Sequence, residues 1–185
     1  NCETCPGSVR DPTKIATRGF LKRIVMQSKD FFPDFFYETY KGSIFTNNSF
    51  KDSFLLVFFL VHITSKKDQH RLLLFQDLMD DLYRLKPFTK ELLQCIAVSS
   101  DTVSAMKKNP SDLFNVFPIL SCPDKKLFKE VNSLSTFSFF SIKASEPKRN
   151  TFLLRPDRSI VWFWDSDKIP PIDHLIDLLP TTKTF

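Results

Sequence analysis

The chain has 185 residues, 42% hydrophobic, 25% charged and 14% aromatic, with 21 phenylalanines. That apolar content excludes a disordered or collagen-like polypeptide, and the length suits one domain of about 100 to 200 residues. Twenty-six Lys and Arg against 21 Asp and Glu leave a net charge of +5, a modest excess that raises solubility and suits anionic partners.

The first 27 residues read as a leading arm, punctuated by Pro6, Gly7 and Pro12, with an amphipathic stretch over 15–26 that suits a short helix. The arm is expected to pack on a domain made by residues 28–185. Aromatics crowd residues 31–41 around Pro33, and Gly42 and Asn47-Asn48 punctuate the next stretch as hairpin turns do. The unbroken run Phe54-Leu55-Leu56-Val57-Phe58-Phe59-Leu60-Val61 predicts a central strand covered on both faces. Even extended to Ile63, with His62 inside it, this run is well short of the roughly 18 to 20 residues of a membrane-spanning helix, so no span is expected within this chain.

After the polar loop 64–69, Leu72, Phe75, Leu78, Met79, Leu82 and Leu85 recur at helical spacing, and Pro87 stops the helix. Residues 92–98 form a second buried strand, and Ser99-Ser100-Asp101 opens a helical stretch through Met106 toward Pro110. Strand, helix, strand, helix implies a parallel core with right-handed crossovers. Residues 117–120 are a short extended segment and 124–131 a helical turn or two. A hairpin follows, Thr151 to Leu154 and 159–164 around Pro156-Asp157-Arg158, and a last helix over 172–179 lies between Pro171 and Pro180. Trp162 and Trp164 share one face of the last strand; that face packs under the arm or final helix, or else offers a partner surface.

The basic residues are densest over 10–23, 66–71 and 125–129. They lack the interleaved aromatics of a nucleic-acid groove, so they read as solvated faces and no nucleic-acid partner is expected. Only Gly7, Gly19 and Gly42 are present, so there is no phosphate-binding loop, and neither Gly-x-Ser-x-Gly nor His-Glu-x-x-His occurs. No cofactor is expected. His62, His70 and Asp68 lie on different elements with nothing to converge them, no metal site is expected, and His174 belongs on the surface of the final helix.

Four cysteines occur, Cys2, Cys5, Cys95 and Cys122. An even count permits disulfides, but the spacing is unlike a small secreted scaffold and leaves the compartment open. The start at Asn1, without Met or a charged-then-apolar leader, suits a processed or trimmed product, and leaves open whether a targeting or anchoring segment has been removed. Asn47-Asn48-Ser49 fits a glycosylation sequon, which matters only in a secreted chain. Cys2-Glu-Thr-Cys5 has the spacing of a redox pair or half a zinc site, yet it precedes every predicted strand, so a loop thiol pair or local disulfide fits better. Cys95, inside a buried strand, reads as an inert hydrophobe. Cys122 lies in a loop beside Pro123, where Lys125 and Lys126 would favour a thiolate, and is a candidate redox thiol.

Several strings, in order, resemble the peroxiredoxin branch of the thioredoxin-like fold, the alkyl hydroperoxide reductase and thiol-specific antioxidant family. Asp30-Phe31-Phe32-Pro33-Asp34-Phe35 is similar to that family's Asp-x-Ala-Pro-Asp-Phe, and Phe50-Lys51-Asp52 to its Leu-Lys-Gly. Phe58-Phe59 stands where the family writes Phe-Phe-Tyr-Pro. Cys95-Ile96-Ala97-Val98-Ser99-Ser100-Asp101 resembles Val-x-Ala-Val-Ser-x-Asp, and Phe117-Pro118-Ile119-Leu120-Ser121-Cys122-Pro123-Asp124 resembles Phe-Pro-Leu-Leu-x-Asp-Pro-x. Arg149-Asn150-Thr151-Phe152 with Pro156-Asp157 resembles Arg-x-Thr-Phe and its downstream turn.

The resemblance covers residues 28 to 180 and implies an α/β, three-layer sandwich with a central mixed sheet flanked by helices. It also exposes a departure. The family's Pro-x-x-x-Thr/Ser-x-x-Cys, counted without gaps from Phe58-Phe59, falls on Val61, Ser65 and Asp68. Only the hydroxyl is kept, and Asp68 is expected to pair with Arg149, the Arg that in the family orients peroxide and thiolate. The resemblance therefore implies a vestigial site of Ser65, Asp68 and Arg149 in a non-peroxidatic binding or scaffold protein, with a protein partner or a second copy. The alternative is a thiol oxidoreductase that has moved its thiol to Cys2 and Cys5 or to Cys122.

Overall fold

The structure is a computed structural model describing residues 31–108, 112–139, 142–165 and 167–180. In chain order the described elements are β1 (Phe36–Glu38), β2 (Ile44–Thr46), β3 (Phe54–Leu60), α1 (Lys66–Leu85), α2 (Thr89–Leu92), β4 (Leu93–Ser99), α3 (Val103–Lys108), β5 (Ile119–Ser121), α4 (Lys126–Glu130), β6 (Leu134–Phe139), β7 (Ile142–Pro147), β8 (Thr151–Leu154), β9 (Ile160–Trp164) and α5 (Ile172–Leu178).

The central sheet has the order β5-β4-β3-β8-β9. β3 runs parallel to β4, and β4 to β5, whereas β8 is antiparallel to β3 and β9 antiparallel to β8. β3 is the middle strand, and all seven of its residues are buried, which is why its sequence is apolar without alternation. The pleat sends Phe54, Leu56, Phe58 and Leu60 to one face, where they meet Leu72, Phe75, Leu78, Met79 and Leu82 of α1 and Leu175 of α5. Leu55, Val57 and Phe59 go to the other, against Phe32, Phe35, Leu127 and Phe128. Two cores on two faces of one mixed sheet make the expected three-layer sandwich.

Phe58 fixes the height of α1 on the sheet by stacking on Phe75 with ring centroids 3.9 Å apart, and both rings are fully buried. Each such side chain contributes up to about 3 kcal/mol. α1 ends at Lys86, before Pro87, because a residue preceding proline is pushed out of the helical region. Lys86 Nζ donates to the Ile176 carbonyl at 3.0 Å, tying the end of α1 to α5.

Two segments differ from expectation. Asn47-Asn48 is not a hairpin turn but opens a 3-10 helix, Asn47–Phe50, capped by Thr46. The Asn47 side chain accepts from the Phe35 amide at 3.0 Å instead of turning the chain. The β1–β2 turn uses Gly42, whose φ of 87° favours glycine and whose N–H donates to the Thr39 carbonyl at 2.9 Å. A second hairpin, β6–β7, was not anticipated; it pairs Leu134 with Pro147 through to Phe139 with Ile142 and stands outside the main sheet.

Candidate functional site

The chain leaves the carboxyl end of β3, turns through residues 61–64 and enters α1. Ser65 is the N-cap of that helix, in extended conformation, and its Oγ accepts from the Asp68 amide at 3.1 Å. The turn is closed by the Ser65 amide donating to the His62 carbonyl at 2.9 Å.

Asp68, three residues beyond the cap, is wholly inaccessible. Its Oδ2 accepts from Ser65 Oγ at 2.7 Å and from the His62 amide at 3.1 Å. Arg149 completes the shell with a two-pronged contact, Nε to Oδ1 at 2.7 Å and Nη2 to Oδ2 at 3.0 Å. The sheet order makes this possible. Arg149 immediately precedes Asn150, whose carbonyl accepts from the Phe59 amide at 3.0 Å, so β8 brings the arginine beside the end of β3. The expected pairing of Asp68 with Arg149 is thus formed, with the Arg149 side chain 15% exposed.

Burial alone would push the Asp68 carboxyl up. The bonds from Arg149, Ser65 and the His62 amide outweigh it and hold the carboxyl below the ordinary carboxylate value. Burial would lower Arg149, but its bond to Asp68 and the nearby carboxylates raise it instead. A carboxylate in this state is an internal anion at a helix N-terminus, where the dipole favours negative charge. It is neither a proton donor near neutral pH nor a nucleophile toward peroxide oxygen.

Arg71 is the residue that the sequence did not single out. It was grouped with the solvated basic stretch 66–71, yet it is 3% exposed. Its Nη2 donates to the Arg149 carbonyl at 2.7 Å and to Thr151 Oγ1 at 2.9 Å, and Nη1 reaches the Asp167 carbonyl. The guanidinium lies over the Phe75 ring at 5.0 Å. Burial lowers its pKa to about 10, so it stays charged at neutral pH. The signal was its phase: Asp68, Leu72 and Phe75 are the buried stripe of α1, and Arg71 sits among them.

Next to this cluster, Lys67, Lys148, Arg149, Glu146, Asp165 and Asp167 line an open polar cleft of about 460 Å³. Its charges alternate in sign, with Lys67 paired to Asp167 and Lys148 to Asp165. A second hub joins the ends of β3 and β4: the Asp101 carboxylate accepts from the Ile63 amide at 2.7 Å and Ser99 Oγ at 3.0 Å, and contacts His62 Nδ1 at 2.9 Å. His62 therefore faces Asp101 while Asp68 faces Arg149. Among the described residues no group of three His, Cys, Asp or Glu can hold a metal ion.

Cys122 departs from expectation. It is fully buried, and that burial pushes its thiol up rather than down, with the adjacent Asp124 carboxylate adding to the rise. Its Sγ donates to Asp124 Oδ1 at 3.4 Å, and Tyr37 also bonds it. The neighbouring lysines do not outweigh burial. Cys95 is buried and raised well above an ordinary thiol. Cys2 and Cys5, with the arm expected over 1–27, lie outside the described residues. His174 is not simply a surface residue: its ring meets Trp162 edge-on at 4.7 Å and Trp164 at 5.6 Å. The tryptophan face thus packs partly under α5, leaving Trp162 45% exposed.

No protein-family model matches the chain, and no curated protein matches it in sequence. Solved structures do match. The bacterioferritin comigratory protein of Xanthomonas campestris, described for alkyl peroxide reduction, superposes with a TM-score of 0.61 at 18% identity, over 78% of this chain and 87% of that one. The peroxidoxin BcpB of Mycobacterium tuberculosis gives 0.59 at 17%, over 80% and 89%. The fold is that of the thioredoxin-like peroxiredoxins. It is shared more widely, since copper-bound ScoI of Arabidopsis thaliana matches at 0.57 and 14%, over 78% of this chain and 92% of that one. Similarity at these identities is one of fold. No helix of the described residues is long and apolar enough to cross a membrane.

Proposed function

We propose that this chain is a non-peroxidatic binding or scaffold protein, a pseudoenzyme on a peroxiredoxin-type fold, in which Ser65, Asp68 and Arg149 are the remnant of a peroxidatic site. The observation that carries this reading is the Asp68–Arg149 pair. Peroxide reduction needs a thiolate sulfur to form a bond to one peroxide oxygen while the O–O bond breaks and the other oxygen leaves as hydroxide or alkoxide. Counted from Phe58-Phe59, the family motif puts that sulfur at Asp68. There the carboxylate instead engages the arginine through both oxygens, so the charge that would serve an incoming anion is spent internally.

A binding role draws support from the β1–β2 hairpin. Tyr37 and Phe45 pack into the core, while Phe36 and Ile44 on the opposite face are 69% and 56% exposed. Phe36 lies opposite Thr46 and Ile44 opposite Glu38, and two exposed apolar side chains on one face suit a protein partner or a second copy of the chain.

The deciding experiment treats fully reduced protein with stoichiometric hydrogen peroxide and follows intact mass and thiol count, with Cys122→Ser and Cys5→Ser alongside. The expected result is four unmodified thiols over minutes. If one thiol oxidises within seconds and a single Ser variant abolishes the reaction, the scaffold reading fails. The protein is then a thiol-dependent oxidoreductase using a relocated cysteine, Cys2 and Cys5 or Cys122.

A further inference from the structure

The tip of the β1–β2 hairpin and the start of β5 frame a second cavity, of about 230 Å³. None of its lining residues belongs to the Asp68–Arg149 cluster or to the charged cleft beside it. Its walls are held by contacts of the protein's own. Thr39 bridges Leu120 of β5, and the Thr39 amide donates to the Ser43 carbonyl at 2.8 Å. The Tyr40 ring meets the buried Phe114 edge-on at 5.8 Å, and its hydroxyl donates to Asn115 Oδ1. Phe45 stacks on Phe50 with ring centroids 5.3 Å apart. A cavity held in this way is formed before anything enters it.

Size and lining limit the occupant. The volume exceeds the roughly 150 Å³ that admits benzene and falls short of the roughly 300 Å³ at which drug-sized sites begin, so it suits one ring with a short substituent. Tyr40, Phe45, Phe117 and Ile119 supply apolar walls. The polar groups left over are donors. Because the Tyr40 hydroxyl occupies Asn115 Oδ1, the Asn115 amide is left with its Nδ2 protons. The carbonyls of Thr39 and Pro118 already accept from the Gly42 and Ala97 amides, at 2.9 and 3.0 Å. Lys41, which also lines the cavity, places its ammonium 5.8 Å from the Tyr40 ring centroid.

Thr39 adds an independent observation. It lines the cavity and is 3% exposed, and among the described residues its Oγ1 has no hydrogen-bond partner. A buried hydroxyl left in this state costs stability, and beside a cavity a ligand acceptor can satisfy it. We propose that the cavity binds a small aromatic carboxylate, its ring among Tyr40, Phe45 and Phe117 and its carboxylate turned to the Lys41 ammonium, Asn115 Nδ2 and the Thr39 hydroxyl. A carboxylate accepts from all three donors at once, and bonds to an ionised acceptor are the stronger ones. An aromatic amine of the same size would bring donors to donors and meet the like charge of Lys41. The site is independent of the Asp68 reading, since it shares no residue with it.

The test titrates the full chain with phenylacetate, and with benzylamine as its cationic counterpart, following backbone amide shifts by NMR. Phenylacetate should saturate, with shifts centred on residues 39–45 and 114–119, and benzylamine should bind at least about tenfold more weakly. Lys41→Met should weaken phenylacetate about tenfold and leave the folded spectrum intact, since Lys41 is exposed. Thr39→Val keeps the branched shape and removes the hydroxyl. It should weaken phenylacetate severalfold while raising the urea midpoint, because the free protein no longer buries an unsatisfied group. That opposition of affinity and stability is the signature of a hydroxyl that serves the ligand. No saturation by phenylacetate, equal binding of benzylamine, or shifts centred elsewhere would overturn the proposal. So would a Thr39→Val variant that binds as the native chain does, or one whose urea midpoint falls.

Discussion

Asp68 and Arg149 are 81 residues apart in sequence, and their side chains meet in a two-pronged contact of 2.7 and 3.0 Å at the first turn of α1. The contact joins the middle of the sheet to the helix that crosses it, because Asp68 also holds the cap residue Ser65 and the His62 amide.

Removing one charge of this pair leaves the other buried without compensation, which costs more than the intact pair contributes. Asp68→Asn is expected to lower the unfolding free energy by about 3 kcal/mol, read as a fall in the urea midpoint at unchanged slope. A loss below about 1 kcal/mol would mean that the contact behaves as a surface ion pair.

The same group sets a pH dependence. Its folded pKa is depressed, so its stabilisation is complete above the unfolded value of about 3.9 and is lost as pH falls through the folded value. The stability gap between the native chain and Asp68→Asn should therefore be constant from neutral pH down to about pH 5 and narrow below about pH 4. Urea titrations at a series of pH values measure it; a gap that widens in acid contradicts the assignment.

Burial governs the described thiols. In the folded protein Cys95 and Cys122 should alkylate with iodoacetamide at neutral pH about tenfold or more slowly than in urea, since both thiols are raised and inaccessible. Mass mapping of labelled peptides reads this. Rapid labelling of Cys122 in the native state would show that the β5–α4 loop opens.

Asn132 ends α4 in the left-handed region, with φ of 55°. The Ser133 amide donates to the Phe128 carbonyl at 2.7 Å and the Asn132 amide to Lys129 at 3.2 Å, the double bond pattern of a Schellman stop. Asn132→Gly should be neutral within a few tenths of a kcal/mol, whereas Asn132→Val should cost about 1 to 2 kcal/mol in thermal or urea unfolding. Equal effects would deny the backbone requirement.

The sequence made β3 and α1 legible because their signals are strong: a fully apolar strand, and a helical stripe from Leu72 to Leu82 ended by Pro87. The Asp68–Arg149 pair was legible only through the family resemblance, since nothing local joins residues so far apart. The β6–β7 hairpin was not legible. Leu134-Ser135-Thr136-Phe137 alternates weakly, and no Asn-Gly or Asp-Gly marks its turn. Arg71 was hidden by its basic neighbours Lys66 and Lys67, although its phase on α1 gave it away. For Cys122, nearness in sequence to two lysines said nothing about depth, and depth decided its ionisation.

β3 has one neighbour, β4, that follows it closely, and another, β8, that comes from near the chain's end. During synthesis the first pairing can form early, while the opposite side of this fully apolar strand stays open until Thr151–Leu154 leaves the ribosome. Arg149 emerges just ahead of those residues, so the buried Asp68 must also wait, desolvated or exposed, for its counter-ion. Such non-local pairing slows folding and leaves a partly folded chain prone to association. For this protein the hazardous period is the interval between the emergence of β3 and that of β8, when a chaperone would find its clearest target.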